Sequence, residues 1–215
     1  MAVELNGYKY SVYAWIARFA LHEKGVAYNW VEVNPFAQDV PARYLELHPF
    51  CRVPTLVDGA FVLYETGAIT RYVDEAYAGP RLQPPSAEAR ARVNQIISIV
   101  DSYAYIPLVR QVFAHAVMGP RLGRSSDPSL IERGLKAAPR ILDALDRLAE
   151  GTPFLVGREL TLADIHLAPM IGYFAEAEQG RSLLDKYALR HWWQAISRRA
   201  AFLDTRPPLP APASP

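Results

Sequence analysis

The apolar pattern of this chain changes once, at a proline-rich stretch, and does not change back. Ahead of Ala78–Pro85, which holds Gly79-Pro80 and Pro84-Pro85, short β-type runs alternate with helical segments; beyond it every apolar run has helical spacing. A chain patterned in this way builds an α/β domain followed by an all-α domain, each burying its own core. Residues 1–78 are assigned to the first, 79–85 to a linker and 86–206 to the second.

Within the first domain, Val3 to Leu5 is a short apolar stretch ended by Asn6-Gly7, and Val12 to Lys24 has helical spacing with a stop at Gly25. The β-branched and aromatic residues from Ala27 to Val33 predict a second strand, closed by Asn34-Pro35. A short amphipathic piece around Tyr44 to Leu47 follows. Thr55-Leu-Val, Asp58-Gly59 and Phe61-Val-Leu then make a hairpin signal, and Glu65 to Tyr77 returns to helical spacing with Ile69, Tyr72 and Val73 on one side. The order is β-α-β-α-β-β-α. In the second domain Ser86, Asp127-Pro128 and Thr161-Leu-Ala-Asp164 each mark a helix start. Residues 207–215 contain five prolines among small residues and read as a disordered tail.

At 215 residues, 51% hydrophobic and 21% charged, the composition is that of an ordinary globular protein. A formal net charge of +1 with interspersed signs provides no basic patch, so neither nucleic acid nor an anionic membrane is expected as a partner. Cys51 is the only cysteine, which rules out an internal disulfide and a multi-thiolate metal site. His22, His166 and His191 show no metal-ligand spacing, so no metal is expected. The first residues lack a basic stretch followed by an apolar run. No segment reads as apolar over the roughly 18 residues of a membrane span, and the expected location is the cytoplasm.

His48-Pro-Phe-Cys-Arg-Val-Pro54-Thr-Leu, with Leu63-Tyr-Glu65-Thr66-Gly-Ala-Ile69 after it, is similar to the Asn-Pro-x-Gly-x-Val-Pro and Glu-Ser-x-x-Ile segments of the cytosolic glutathione S-transferase family, which the chain resembles in its bacterial, serine-type, phi- or theta-like form. Phe154-Leu-Val-Gly157 through Thr161-Leu-Ala-Asp164 resembles its helix-capping motif, and His191-Trp-Trp193-Gln-Ala-Ile-Ser the C-terminal helix of many bacterial members. The resemblance implies a thioredoxin-like first domain on a mixed four-stranded sheet, glutathione as co-substrate, a role in detoxification and a homodimer. The implied activity is attack of the glutathione thiolate on a hydrophobic electrophile. Peroxidase, isomerase and ether-cleaving reactions begin from the same thiolate. A relative that only binds ligands or proteins is the alternative of a different class.

A free thiol, with a pKa of about 8.5, is mostly protonated at neutral pH, so the protein must favour its anion. Ser11 occupies the position that resembles the family's catalytic serine; a serine there also suits a helix cap, and Tyr8 and Tyr10 are the alternative hydroxyls. The resemblance further implies that Val53, before Pro54, hydrogen-bonds the cysteinyl part of glutathione, that Thr66 and Glu65 hold the γ-glutamyl end, and that Arg52 reaches the glycyl carboxylate. Tyr8, Tyr10, Tyr103, Phe113 and His115 are candidate walls for the hydrophobic substrate, although aromatic residues at helical spacing also serve as core. The chain departs from the family at two places. Asp39-Val40 stand where phi-class members carry a His-Lys pair, and Cys51 replaces a usual glycine and reads as a buried, inert thiol. Thr161, Asp164, Trp192 and Trp193 read as structural.

Overall fold

A computed structural model describes residues 3–149 and 151–211. The chain divides into two compact units, Met1–Leu82 with Asp204–Pro207, and Gln83–Leu203 with Pro208–Pro215. The return of Asp204–Pro207 to the first unit corrects the simple order of domains expected from the sequence.

The first unit follows the order β1 (Val3–Gly7), α1 (Val12–Glu23), β2 (Tyr28–Glu32), α2 (Ala42–Leu47), β3 (Thr55–Asp58), β4 (Phe61–Tyr64) and α3 (Thr66–Ala76). Its sheet runs β2-β1-β3-β4, with β1 parallel to β2 and the other pairs antiparallel, the mixed four-stranded sheet of a thioredoxin-like domain. The parallel pair requires a crossover, and α1 supplies it. That helix starts on the Ser11 cap and ends in a Schellman turn: Gly25 N–H donates to His22 O at 3.0 Å and Val26 N–H to Leu21 O at 2.9 Å, with Gly25 at φ +66°. Val3, Leu5 and Leu56 of the sheet meet Ala17 and Leu21 of α1 and Ile69 and Val73 of α3 in one buried cluster. The hairpin loop is Gly59-Ala60 with Asp58 paired to Phe61, so Asp58 is the last strand residue rather than part of the turn. Its carboxylate accepts from the hydroxyls of Tyr72, at 2.8 Å, and Tyr77.

A buried ion pair ties the end of α1 to α3. Lys24 Nζ lies 3.2 Å from Asp74 Oδ1 and also donates to the carbonyls of Asp74 and Pro80, while Leu82 N–H donates to Asp74 Oδ1. This set fixes the chain from residue 80 to 82 against the first unit.

The second unit is helical. Ser86 caps a continuous helix over Ala87–Arg121, its Oγ accepting from Ala89 N–H. From Val100 to Met118 this helix is wound more widely, with Gly119 N–H donating to Ala114 O, and Pro107 lies inside that stretch. The helix Pro128–Ala149 crosses it at Gly134, where a Cβ would sit 2.6 Å from the Pro107 carbonyl, so only glycine permits this approach. The helix Leu162–Phe174 is buried along its whole length. Shorter helices, Glu178–Leu184, Leu189–Ile196 and Ala200–Thr205, complete the chain. Asp146 caps the second of these from outside, accepting from the N–H groups of Ala188 and Leu189.

Asp164 closes the expected capping box, and it does more: its carboxylate accepts from Thr161 N–H, Thr161 Oγ, Leu155 N–H and Trp192 Nε1–H, each at 2.8 Å. Burial pushes this carboxyl up, and the four donors oppose that shift.

Two expectations are corrected here. Among the described residues the helix Ala87–Arg121 is long and apolar enough to cross a membrane by length and composition, contrary to the sequence reading. Val93, Ile96, Ile97, Val100, Leu108 and Val112 of this helix are buried, the packing of a core helix. The expected tail is partly docked: Pro207 is buried and Arg121 donates to the Pro210 carbonyl at 2.7 Å. Residues 212–215 of that tail lie outside the described residues.

Candidate active site

The strand register brings the candidate residues of the first unit to one end of the sheet. Asn6 of β1 pairs with Thr55 of β3, and Thr55 pairs with Tyr64 of β4, forming a single rung. Just past that rung the chain reaches Tyr8–Ser11 from β1, Pro54 and Val53 from β3, and Glu65–Thr66 from β4. Neighbouring strands are about 4.8 Å apart, so these three segments span about 10 Å along one edge.

Ser11 lies at the N-terminus of α1 and is half-buried. Its N–H donates to Tyr8 O at 2.8 Å, its carbonyl accepts from Trp15 N–H at 3.0 Å, and its Oγ accepts from Ala14 N–H at 3.2 Å. The serine therefore does cap the helix. A hydroxyl that accepts one bond still has its own proton to donate, so capping leaves the O–H available to an anion. The first turn of α1 carries no acidic residue, and its positive end is left to act on such an anion. Tyr8 and Tyr10 are both half-buried and meet edge to face at 5.5 Å. Lys9 Nζ stands 4.8 Å over the Tyr10 ring.

The Val53–Pro54 peptide is cis. The segment leading to it is held by Tyr44, whose hydroxyl donates to the Arg52 carbonyl at 2.5 Å and bonds Thr55 Oγ1 at 3.1 Å. Burial pushes the Tyr44 hydroxyl pKa up, which keeps it a neutral donor. The Arg52 side chain is exposed. Cys51 has φ +49°, in the left-handed region where glycine is favoured, which explains why a glycine is usual at this place. It is partly exposed, not buried as expected.

Glu65 precedes α3 with φ +70° and ψ 114°, an unfavourable conformation for a residue with a Cβ, and its side chain is exposed. Its carbonyl accepts from Ala68 N–H and Ile69 N–H at 2.9 and 3.0 Å. Thr66, 7% exposed, opens the helix, where the first backbone N–H groups have no partner within the helix.

Tyr103, Phe113 and His115 all lie on the helix Ala87–Arg121 of the second unit. Tyr103 is exposed and His115 is half-buried. Phe113 is 3% exposed and stacks on Tyr173 with centroids 4.1 Å apart, so it is a core residue and not the expected wall. Trp192 and Trp193 pack as expected, the first on Asp164 and the second edge to face with Phe202.

Two residues here were not singled out from the sequence. Phe36 is 71% exposed with its ring edge-on to Tyr8 at 6.0 Å; an aromatic residue directly after Asn34-Pro35, in a turn with no strand to serve, was the available signal. His48 is buried with its ring 4.6 Å from that of Tyr64, and its Nδ1 has no hydrogen-bond partner. Burial pushes its pKa down; Glu65 opposes this and Arg52 adds to it, leaving a neutral ring beside both. Among the described residues no group of three or more His, Cys, Asp or Glu could hold a metal ion.

One end of a thioredoxin-like sheet thus gathers a helix-capping serine, the Val53–Pro54 peptide and a glutamate at positive φ. Comparison with known proteins agrees: residues 5–81 match the family description "Glutathione S-transferase, N-terminal domain" and residues 128–197 "Glutathione S-transferase, C-terminal domain". The chain is 30% identical over 213 residues to glutathione S-transferase F13 of Arabidopsis thaliana, covering 97% of each. It superposes on the apo structure of glutathione S-transferase III with a TM-score of 0.86 at 28% identity, covering all of both chains. It also superposes on the theta-class glutathione S-transferase of Xanthomonas axonopodis pv. citri with glutathione bound, with a TM-score of 0.79 at 28% identity over 95% of this chain and 97% of that one. This chain belongs to the glutathione S-transferase family.

Proposed function

We propose that the protein is a serine-type, phi- or theta-like glutathione transferase in which Ser11 stabilises the glutathione thiolate for attack on a hydrophobic electrophile. The observation that supports this reading is the rung Asn6–Thr55–Tyr64, because it aligns the three candidate segments over about 10 Å at one end of the sheet. An extended tripeptide has that length. On this reading the Val53 backbone pairs with the cysteinyl residue beside the cis peptide, and Thr66 with the free N–H groups of α3 accepts the γ-glutamyl carboxylate. The Glu65 carboxylate meets the ammonium, and Arg52 reaches the glycyl carboxylate. The Ser11 O–H donates to the sulfur while Ala14 N–H donates to Ser11 Oγ, so the cap and the activator are the same hydroxyl. A hydrogen bond to a charged group contributes roughly 1.5 to 3 kcal/mol, equivalent to about one to two pKa units at the thiol. Family membership and the absence of a second cysteine support a homodimer in a reducing cytoplasm, with detoxification as the setting.

The test is a pH titration of the thiol of enzyme-bound glutathione, together with conjugation of a chloronitrobenzene-type electrophile, in wild type and Ser11→Ala. The variant is expected to bind glutathione with little change and to show a thiol pKa raised by about one unit or more. An unchanged thiol pKa and rate would transfer the role to Tyr8 or Tyr10. Absence of glutathione binding by the wild-type chain would leave the non-catalytic, ligand-binding reading.

A further inference from the structure

One hydrogen bond in the first unit joins residues 190 positions apart: Trp15 Nε1–H donates to Thr205 Oγ1 at 3.1 Å. Both residues are 1% exposed, and Pro207 just beyond is buried as well. Asp204–Pro207 thus returns to the first unit with Thr205 seated on the α1 tryptophan. Trp15 lies one helical turn after Ser11, and residues four apart share a helix face. Its backbone N–H donates to the Ser11 carbonyl at 3.0 Å. A continuous covalent and hydrogen-bonded path therefore runs from Thr205 through the Trp15 ring and amide to the residue assigned as activator.

We propose that Thr205 is a positioning residue for thiol activation: by fixing the Trp15 ring it sets where the first turn of α1, and with it the Ser11 hydroxyl, meets the glutathione sulfur. The inference rests on Ser11 being the activating hydroxyl. Hydrogen bonds weaken steeply with misalignment, and α1 has only 12 residues over which to absorb a displacement. A small shift of the Trp15 ring in a close-packed interior is passed to its own backbone rather than dissipated. Small errors of placement at a reacting group cost far more rate than stability. The C-terminal segment then contributes to chemistry carried out by a residue near the opposite end of the chain.

The experiment uses the full chain with Thr205→Val, which keeps the shape and removes Oγ1, and Thr205→Ser, which restores the hydroxyl. Bound-thiol pKa is read from thiolate absorbance, and kcat and KM for glutathione are measured with the same electrophile. Thr205→Val is expected to raise the thiol pKa by about half a unit and to lower kcat about threefold below that pKa. KM for glutathione should stay within about twofold. Thr205→Ser should return to wild type, and in a Ser11→Ala background Thr205→Val should leave the thiol pKa where Ser11→Ala put it. Trp15→Phe, which removes the donor and keeps a ring, is expected to reproduce the pKa rise and serves if Thr205→Val does not fold. A lower melting temperature with an unchanged thiol pKa in Thr205→Val or Trp15→Phe overturns the proposal and leaves a structural bond. If Ser11→Ala itself leaves the thiol pKa unchanged, the assignment of Ser11 fails instead, and the positioning role falls with it.

Discussion

Replacing Asp74 by asparagine tests how much of the first unit depends on its buried ion pair. The side chains of Lys24 and Asp74 are 2% and 4% exposed, so neither charge can turn to solvent without opening the packing. Removing one partner of such a pair typically costs about 3–5 kcal/mol, because the other is left as an uncompensated buried charge. The substituted amide would keep an oxygen for Leu82 N–H, and the Lys24 ammonium would keep the backbone carbonyls of residues 74 and 80, now at 3.0 and 3.1 Å. The expected loss is therefore at the low end, about 3 kcal/mol, still a large part of the roughly 5–15 kcal/mol that holds a typical domain. In a urea titration with a slope of about 2 kcal/mol/M, the midpoint falls by about 1.5 M. Trp15 and Trp30 fluorescence reports the first unit. Lys24→Met combined with Asp74→Leu removes the uncompensated charge but takes these side-chain partners from Leu82 N–H and from the carbonyls of residues 74 and 80, so it should recover only part of the loss. A midpoint change in Asp74→Asn corresponding to less than about 1 kcal/mol, the value of an exposed pair, would refute the argument.

Two further outcomes follow from groups described above. Asp164→Ala orphans four buried donors at once, Thr161 N–H and Oγ, Leu155 N–H and Trp192 Nε1–H, and should cost about 3 kcal/mol or more by urea denaturation, with Trp192 fluorescence reporting the second unit. The hydroxyls of Tyr77 and Tyr72 hold the Asp58 carboxyl below the usual carboxylate range. Its contribution to stability is complete above the unfolded value of about 4 and is lost as pH falls through the depressed folded value, so Asp58→Asn should flatten the acid side of a melting-temperature profile. Equal acid sensitivity in wild type and Asp58→Asn would show that these hydrogen bonds do not favour the charged form.

What the sequence made legible was local. The periods of Val12–Lys24 and Glu65–Tyr77, the hairpin at Thr55–Leu63 and the Thr161–Asp164 box each depend on neighbours within a few positions, and each stands where expected. The candidate site was readable only in the local placement of its residues: Ser11 at its cap, the peptide before Pro54, and Glu65–Thr66 at a helix start. Bonds between distant positions were not readable. Trp15–Thr205, Lys24–Asp74 and Asp146 on Ala188 join residues whose identities alone carry no pairing rule. The docking of Pro207–Pro210 was missed for a related reason, since composition argued against a core and one arginine, Arg121, supplied an acceptor's partner from 89 positions away. Phe113 was misread because an aromatic at helical spacing is the same letter whether it faces a ligand or Tyr173.

The rung Asn6–Thr55–Tyr64 also limits how the gene can change length. Adding or removing one residue within β3 would slip it against β1, turn Leu56 out of the core and move Val53 relative to the segment that follows β1 in the same event. The packing of Leu56 and the placement of the candidate site would be disturbed together. Insertions and deletions are affordable instead between β2 and α2, over residues 34–41, beyond the last bond of the β1–β2 ladder, Val33 N–H to Gly7 O. Any loop that tunes this protein to a different substrate by length rather than by substitution is expected there.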